Sequence, residues 1–190
     1  VLFADNFEGD SGAPPWAFAA TGGTPAWAIV AGDAGSKFYS GTLNSNSNIA
    51  LAANGNATWT DVSVEAKVRI RMFGGSSTSF FAGLCVRVAS ADTFYCVALR
   101  SDGRLGIRGK AAGQSAANLA GADISVTPPI SADVWYTLRV VTHGSAVTVY
   151  YNGTMVETVT LPGCPSAGGG IALGLANATA DFDDVRVTVP

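Results

Sequence analysis

The chain has 190 residues, 48% of them apolar and 13% charged, with a net charge of -3 and a pI near 4.9. Those values suit one domain with a sizeable core and exclude a disordered chain. No apolar run approaches the roughly 20 residues of a membrane helix, no signal peptide opens the sequence, and Val1 reads as a mature or trimmed start. One histidine and three cysteines without a Cys-x-x-Cys pair argue against a zinc site.

The N-terminal third holds strand-like pieces at "LFADNFE", "AWAIV", "SKFYS" and "SNIALA", parted by Gly, Pro and Asn turns. "VSVEAKVRIRMF" then alternates with period two. Val64, Ala66, Val68, Ile70 and Met72 take one face, and Glu65, Lys67, Arg69 and Arg71 the other, as in a strand with one buried side. "FFAGLCVRVASADTFYCVALRSDGRLGIRG" reads as a three-strand meander with turns at Ser90-Ala91 and Ser101-Asp102-Gly103. Residues 111–122 hold the best helical periodicity of the chain, which Gly113 and Gly121 weaken. "VWYTLRVVTHGSAVTVYYNGTMVETVTL" forms a second meander turning at His143-Gly144 and Asn152-Gly153, and "GGIALGLANATADFDDVRVTV" supplies two last strands. About twelve to fourteen short strands at this spacing predict an all-β, two-sheet antiparallel sandwich of jelly-roll type, a single domain over residues 1–190.

Turn lengths fix a register. A turn at Ser90-Ala91 sets Cys85 opposite Cys96 and Arg87 opposite Phe94; the next turn sets Leu99 opposite Leu105 and Cys96 opposite Arg108. Leu84, Val86, Val97, Leu99, Leu105 and Ile107 then form a core face. The other face carries Cys85, Arg87, Phe94, Cys96, Arg100, Arg104, Arg108 and Lys110. Cross-strand cysteines lie near enough for a Cys85–Cys96 disulfide, which leaves Cys164 free and favours an oxidising compartment.

Residues 65–110 hold eight of the eleven basic side chains against three acids, so that segment carries +5 and the remainder -8. An exposed strand face commonly carries such charge with no ligand. As a binding groove it suits an anion, because the guanidinium fork grips a carboxylate through two parallel bonds. On that reading Arg87, Arg100 and Arg108 contact ligand and Phe94 stacks on a sugar ring. Lys110 adds field, as do Arg69 and Arg71 if their strand lies in the same sheet.

Taken in order, "LFADNFEG", "WTDVSVEAKV", "FAGLCVRVASADTFYCVALRSDGRLGIR", "VWYTLRVVTHGSAVTVYYNGTMV" and "DFDDVRVTV" resemble the concanavalin A-like, laminin-G-like jelly-roll modules of bacterial secreted polysaccharide-degrading proteins, notably those attached to pectate lyases. The resemblance spans nearly the whole chain. It implies secretion, a glycan-binding concave face and a polysaccharide-binding, non-catalytic role beside a catalytic domain. It also implies that the first and last strands are neighbours, bringing Asp5 and Glu8 near Asp181, Asp183 and Asp184. Asp5, Glu8, Asp183 and Asp184 are the expected ligands of a structural calcium ion.

The Glu-x-Asp-x-x-Glu string of related glucanases is absent, and His143 falls in a turn. A jelly-roll polysaccharide lyase acting on a uronate polymer is the rival reading, although the characteristic lyase strings are missing and Tyr95 alternates into the core. Nucleic-acid binding is disfavoured by the net negative charge, and an adhesive module stays open.

Overall fold

A computed structural model of the chain describes residues 1–9, 16–161 and 168–190. Two antiparallel sheets face each other. The first runs in the order β13 (Thr154–Thr160), β12 (Ala146–Tyr151), β11 (Trp135–His143), β6 (Ser63–Phe73), β15 (Ala178–Thr188), β4 (Lys37–Leu43) and β3 (Ala26–Ala31), with β1 (Phe3–Asp5) pairing β15. The second runs β10 (Ala117–Ile124), β9 (Leu105–Lys110), β8 (Thr93–Arg100), β7 (Phe81–Ser90), β14 (Gly170–Ala176), β5 (Ala50–Asn54) and β2 (Ala17–Ala20). Among the described residues no helix is long and apolar enough to cross a membrane.

Alternation decides which side chains fill the space between the sheets. Val64, Ala66, Val68 and Ile70 of β6 meet Leu84, Val86, Val97, Leu99, Leu105 and Ile107 of the second sheet, all at most 1% exposed. Met72, at the end of β6, departs from this pattern and is exposed. Of residues 111–122, the best helical stretch, 111–116 form a turn and connection and 117–122 enter β10, because pairing with β9 overrides weak local periodicity.

The first hairpin turns one residue later than expected, at Ala91-Asp92, with Ser90 opposite Thr93. A bulge absorbs the difference. Arg87 adopts φ 51°, the ladder shifts between Val86 and Ser90, and Cys85 still faces Cys96. Those two cysteines form a disulfide. Cys164 lies outside the described residues.

The second sheet is buried on both sides. Its outer face carries a separate apolar layer of Ile49, Leu51, Phe81, Cys85, Phe94, Cys96, Ala98, Ala172 and Ala176. Gly174 makes room for the disulfide: a Cβ there would stand 2.6 Å from Cys85 Sγ and 3.3 Å from Cys96 Sγ.

Candidate functional site: a polar cleft over the second sheet

The outer apolar layer changes the role of the aromatic residue expected to stack on sugar. Phe94 is 0% exposed, so it presents no ring to a ligand. Strands β5 and β14, far away in sequence, widen the sheet beside β7, and their Leu51, Ala172 and Ala176 extend the apolar layer that includes Phe94.

The arginines also separate. The bulge turns Arg87 away from the face it was expected to share; its NH2 donates to the Gly144 carbonyl in the β11–β12 turn of the other sheet and lies 3.6 Å from Asp61. Arg100, only 4% exposed, pairs with Asp102 at 2.5 Å and Asp123 at 2.7 Å, and Arg104 meets the same Asp123 at 2.9 Å. Desolvation, the largest single influence, pushes the Asp123 carboxyl up. The Arg104 hydrogen bond, the Arg100 and Arg104 charges and the Arg100 hydrogen bond outweigh it and hold the group below its ordinary value. Lys110 Nζ lies 3.0 Å from Asp92 and donates to the Gln114 carbonyl at 2.6 Å. The local excess of positive charge is thus largely matched by acids, two of which, Asp61 and Asp123, lie outside residues 65–110.

Arg108 differs. It is 7% exposed, lies 5.7 Å over the Phe81 ring, and donates to Asn118 Oδ1 at 3.1 Å and the Ala116 carbonyl at 3.2 Å. Both acceptors are neutral, and its Nε is buried with no hydrogen-bond partner among the described residues. Burial, and after it the charge of Arg100, push its guanidinium below the ordinary value; arginine nonetheless stays charged.

Arg108 and Lys110 line a cleft of about 400 Å³ on this outer face. Its rim comes from Asn46–Ile49, Ser79, Asp92 and Gln114–Ala116, so amides, hydroxyls and the Asp92 carboxylate line the cleft with Arg108. Sequence reasoning found Arg108 and Lys110 but missed Asn46, Asn48 and Gln114. The polar run "NSNSN", wedged between two strands, was the available signal.

Arg69 and Arg71 lie on β6, hence in the other sheet and on the opposite side of the sandwich. They do not join the cleft. Arg69 meets Asp181 Oδ2 through Nε at 2.9 Å and NH2 at 2.8 Å, and Arg71 meets Asp133 at 3.1 Å.

The first and last strands are neighbours, with Asp5 opposite Val185. The four acids expected around calcium are nevertheless divided. Asp5 accepts from the Phe7 N–H and Trp16 Nε1–H, each at 2.9 Å, and is buried. Asp184 pairs with Lys67 at 2.6 Å. Glu8 accepts from the Lys37 N–H at 2.8 Å. The Asp183 carboxyl is pushed up by burial and by the nearby Asp184 and Glu8 charges, against a backbone hydrogen bond and Lys67. Among the described residues no three His, Cys, Asp or Glu side chains converge as a metal-ligand group.

Residues 40–188 match the family model described as the concanavalin A-like lectin/glucanases superfamily. The chain belongs to that superfamily. No curated protein matches the sequence. Several solved structures share the concanavalin A-like fold with low identity. The carbohydrate-binding module CBM66 from Bacillus subtilis aligns at TM-score 0.67 and 18% identity, covering 91% of this chain and 96% of its own. The cellulose-induced protein Cip1 aligns at TM-score 0.67 and 15% identity, covering 98% and 96%. Domain 4 of AbnA, a GH43 extracellular arabinanase from Geobacillus stearothermophilus solved with arabinotriose, aligns at TM-score 0.62 and 15% identity, covering 99% and 91%. Within this concanavalin A-like frame, the cleft holding Arg108 lies on the outer face of the sheet carrying the disulfide hairpin.

Proposed function

We propose that the chain is a non-catalytic carbohydrate-binding module whose ligand is an acidic, uronate-containing polysaccharide held in the Arg108 cleft. The observation that carries this is a nearly buried guanidinium whose hydrogen-bond partners are neutral, at the base of a polar cleft. A buried charge without a counter-ion is costly, and a ligand carboxylate supplies one. Asn46, Asn48, Gln114 and the surrounding hydroxyls offer both donors and acceptors to sugar hydroxyls. The carbohydrate-binding titles among the similar structures support the same class.

Binding is favoured over lyase chemistry by what lines the cleft. A lyase needs a base beside the group that neutralises the carboxylate. The described lining includes no Tyr or His, its Lys110 and Asp92 are paired with each other at 3.0 Å, and Tyr95 lies in the inner core. A secreted parent protein with a catalytic domain belongs to the same proposal, since the Cys85–Cys96 bond suits an oxidising compartment. Structural calcium belongs to it in a narrower form, with Glu8 and Asp183 as the anionic ligands and backbone carbonyls completing the shell.

The test is a calorimetric titration with trigalacturonate, xylohexaose and cellohexaose at two salt concentrations, with ultraviolet absorbance followed for unsaturated product. Salt-sensitive preference for the uronate without new absorbance is expected. New absorbance would replace the binding role with a lyase. Indifference to the uronate would remove its assignment to Arg108.

A further inference from the structure

The opposite face of the sandwich carries a second set of side chains that the cleft does not use. Alternation along β4, β6, β11 and β15 puts Phe38, Arg69, Trp135 and Asp181 on the outer side of the first sheet. Arg69 lies in the corner of two rings that meet edge-on, its guanidinium carbon 4.9 Å from the Phe38 centroid and 4.5 Å from that of Trp135. Two basins adjoin this corner. One, of about 460 Å³, is lined by Arg71, Thr179 and Asp181; the other, of about 380 Å³, by Lys67, Trp135 and Asp183. Gly32, Phe38 and Arg69 line both, so the basins form one trough crossing four strands. A Cβ at Gly32 would stand 2.9 Å from Phe38 Cε1, so the backbone there is fitted closely to the ring.

Asp181 is the second observation. Its side chain is 3% exposed, yet its contacts with Arg69 and Arg71 all use Oδ2. None of these guanidinium contacts falls on Oδ1. A buried carboxylate on the trough wall therefore has one oxygen outside its ion-pair contacts, beside a guanidinium held against two rings.

We infer that this trough is a second saccharide site, selective for neutral sugar chains. Sugar hydroxyls both donate and accept, so adjacent hydroxyls can give a proton to Asp181 Oδ1 and take one from a guanidinium. A simple anion or cation satisfies only one partner. Each cation of the trough has a carboxylate partner, with Lys67 facing Asp184, Arg69 facing Asp181, and Arg71 facing Asp133, and Asp183 adds one further acid to the lining. No unmatched positive group recruits a uronate, in contrast to Arg108. Trp135 and Phe38 supply the aromatic edges that sugar rings pack against. The inference does not depend on the Arg108 cleft, because the two sites lie on outward faces of different sheets.

The experiment is an amide and indole NMR titration of the whole chain with xylohexaose, cellohexaose and trigalacturonate, repeated for Ser40→Tyr, Asp181→Asn and Arg108→Gln. Ser40 lines the trough, so the tyrosine fills it without removing the buried ion pair. A neutral hexasaccharide should shift the Trp135 indole and Arg69 Nε signals. Ser40→Tyr and Asp181→Asn should weaken that binding at least about tenfold, and Arg108→Gln should leave it unchanged. The inference is overturned if neither neutral sugar shifts those signals, if Ser40→Tyr binds it as wild type does, or if Arg108→Gln abolishes it. Loss of only the trigalacturonate response in Arg108→Gln bears on the cleft and leaves the trough standing.

Discussion

Replacing Arg108 with Gln separates a ligand-seeking guanidinium from a merely structural one. In the free protein the substitution removes hydrogen bonds to Asn118 and Ala116, worth about 0.5–1.5 kcal/mol each, and the contact over Phe81, worth about 0.5–2 kcal/mol. It also removes a desolvated charge whose burial costs several kcal/mol. These contributions oppose each other at similar size. The melting temperature should therefore hold within about 4 °C of wild type or rise, given about 2–4 °C per kcal/mol for a domain of this size. Binding is not so offset. A charge-assisted bond to a uronate carboxylate contributes about 1.5–3 kcal/mol, so affinity for trigalacturonate should fall roughly 10- to 150-fold. Calorimetric titration and thermal unfolding of the same preparations read both quantities. A variant that melts more than about 10 °C lower and binds trigalacturonate as before would refute the reasoning, because Arg108 would then be a core cation satisfied by its neutral partners.

Other expectations can be checked alongside. Cys96→Ala opens the Cys85–Cys96 loop, and chain entropy for a separation of 11 residues gives a loss of about 3 kcal/mol, measurable by denaturant unfolding under non-reducing conditions; an unchanged midpoint would contradict it. Gly174→Ala should cost about 1–3 kcal/mol because its Cβ meets Cys85 Sγ. That cost should shrink in a Cys85→Ala, Cys96→Ala background, and equal costs in both backgrounds would place the strain elsewhere. Asp183 binds its proton more tightly in the folded state than in the unfolded chain. Stability from this group is therefore lost as pH rises from the ordinary aspartate range through the raised value. Asp183→Asn should accordingly raise the melting temperature at neutral pH in chelator. Calcium should raise it in wild type and leave the variant unmoved; a chelator-insensitive wild type would remove the ion from the proposal.

Local parity was legible in the sequence to the level of single pairs. Cys85 faces Cys96, Leu99 faces Leu105 and Cys96 faces Arg108, because buried faces tolerate no one-residue slip. What failed was everything set by distant strands. Phe94 reads as exposed from its neighbours, yet Leu51 and Ala172 share its buried layer. Arg100 and Arg104 read as unpaired charge, yet β10 brings Asp123 to them. Arg69 and Arg71 were to add field only if their strand lay in the same sheet, and the chain changes sheets between β6 and β7; a period-two pattern is the same on either sheet and leaves that condition undecided. Arg87 was misdirected by a bulge whose positive φ falls on a residue type that gives no warning of it. The first-to-last strand pairing was reached through resemblance, and the acids it gathers turned out to be engaged with Trp16, Lys37 and Lys67.

The β7–β8 hairpin has apolar packing above and below and a covalent tie at its middle. A binding surface resting on so stiff a base has little conformational freedom left to surrender when a ligand arrives. Sequence change there is confined by packing on two sides, whereas the segments around Asn46–Ile49 and Gln114–Ala116 edge the cleft from connecting stretches between strands. Within this architecture, substitutions in those borders can reshape the cleft while the foundation beneath stays the same.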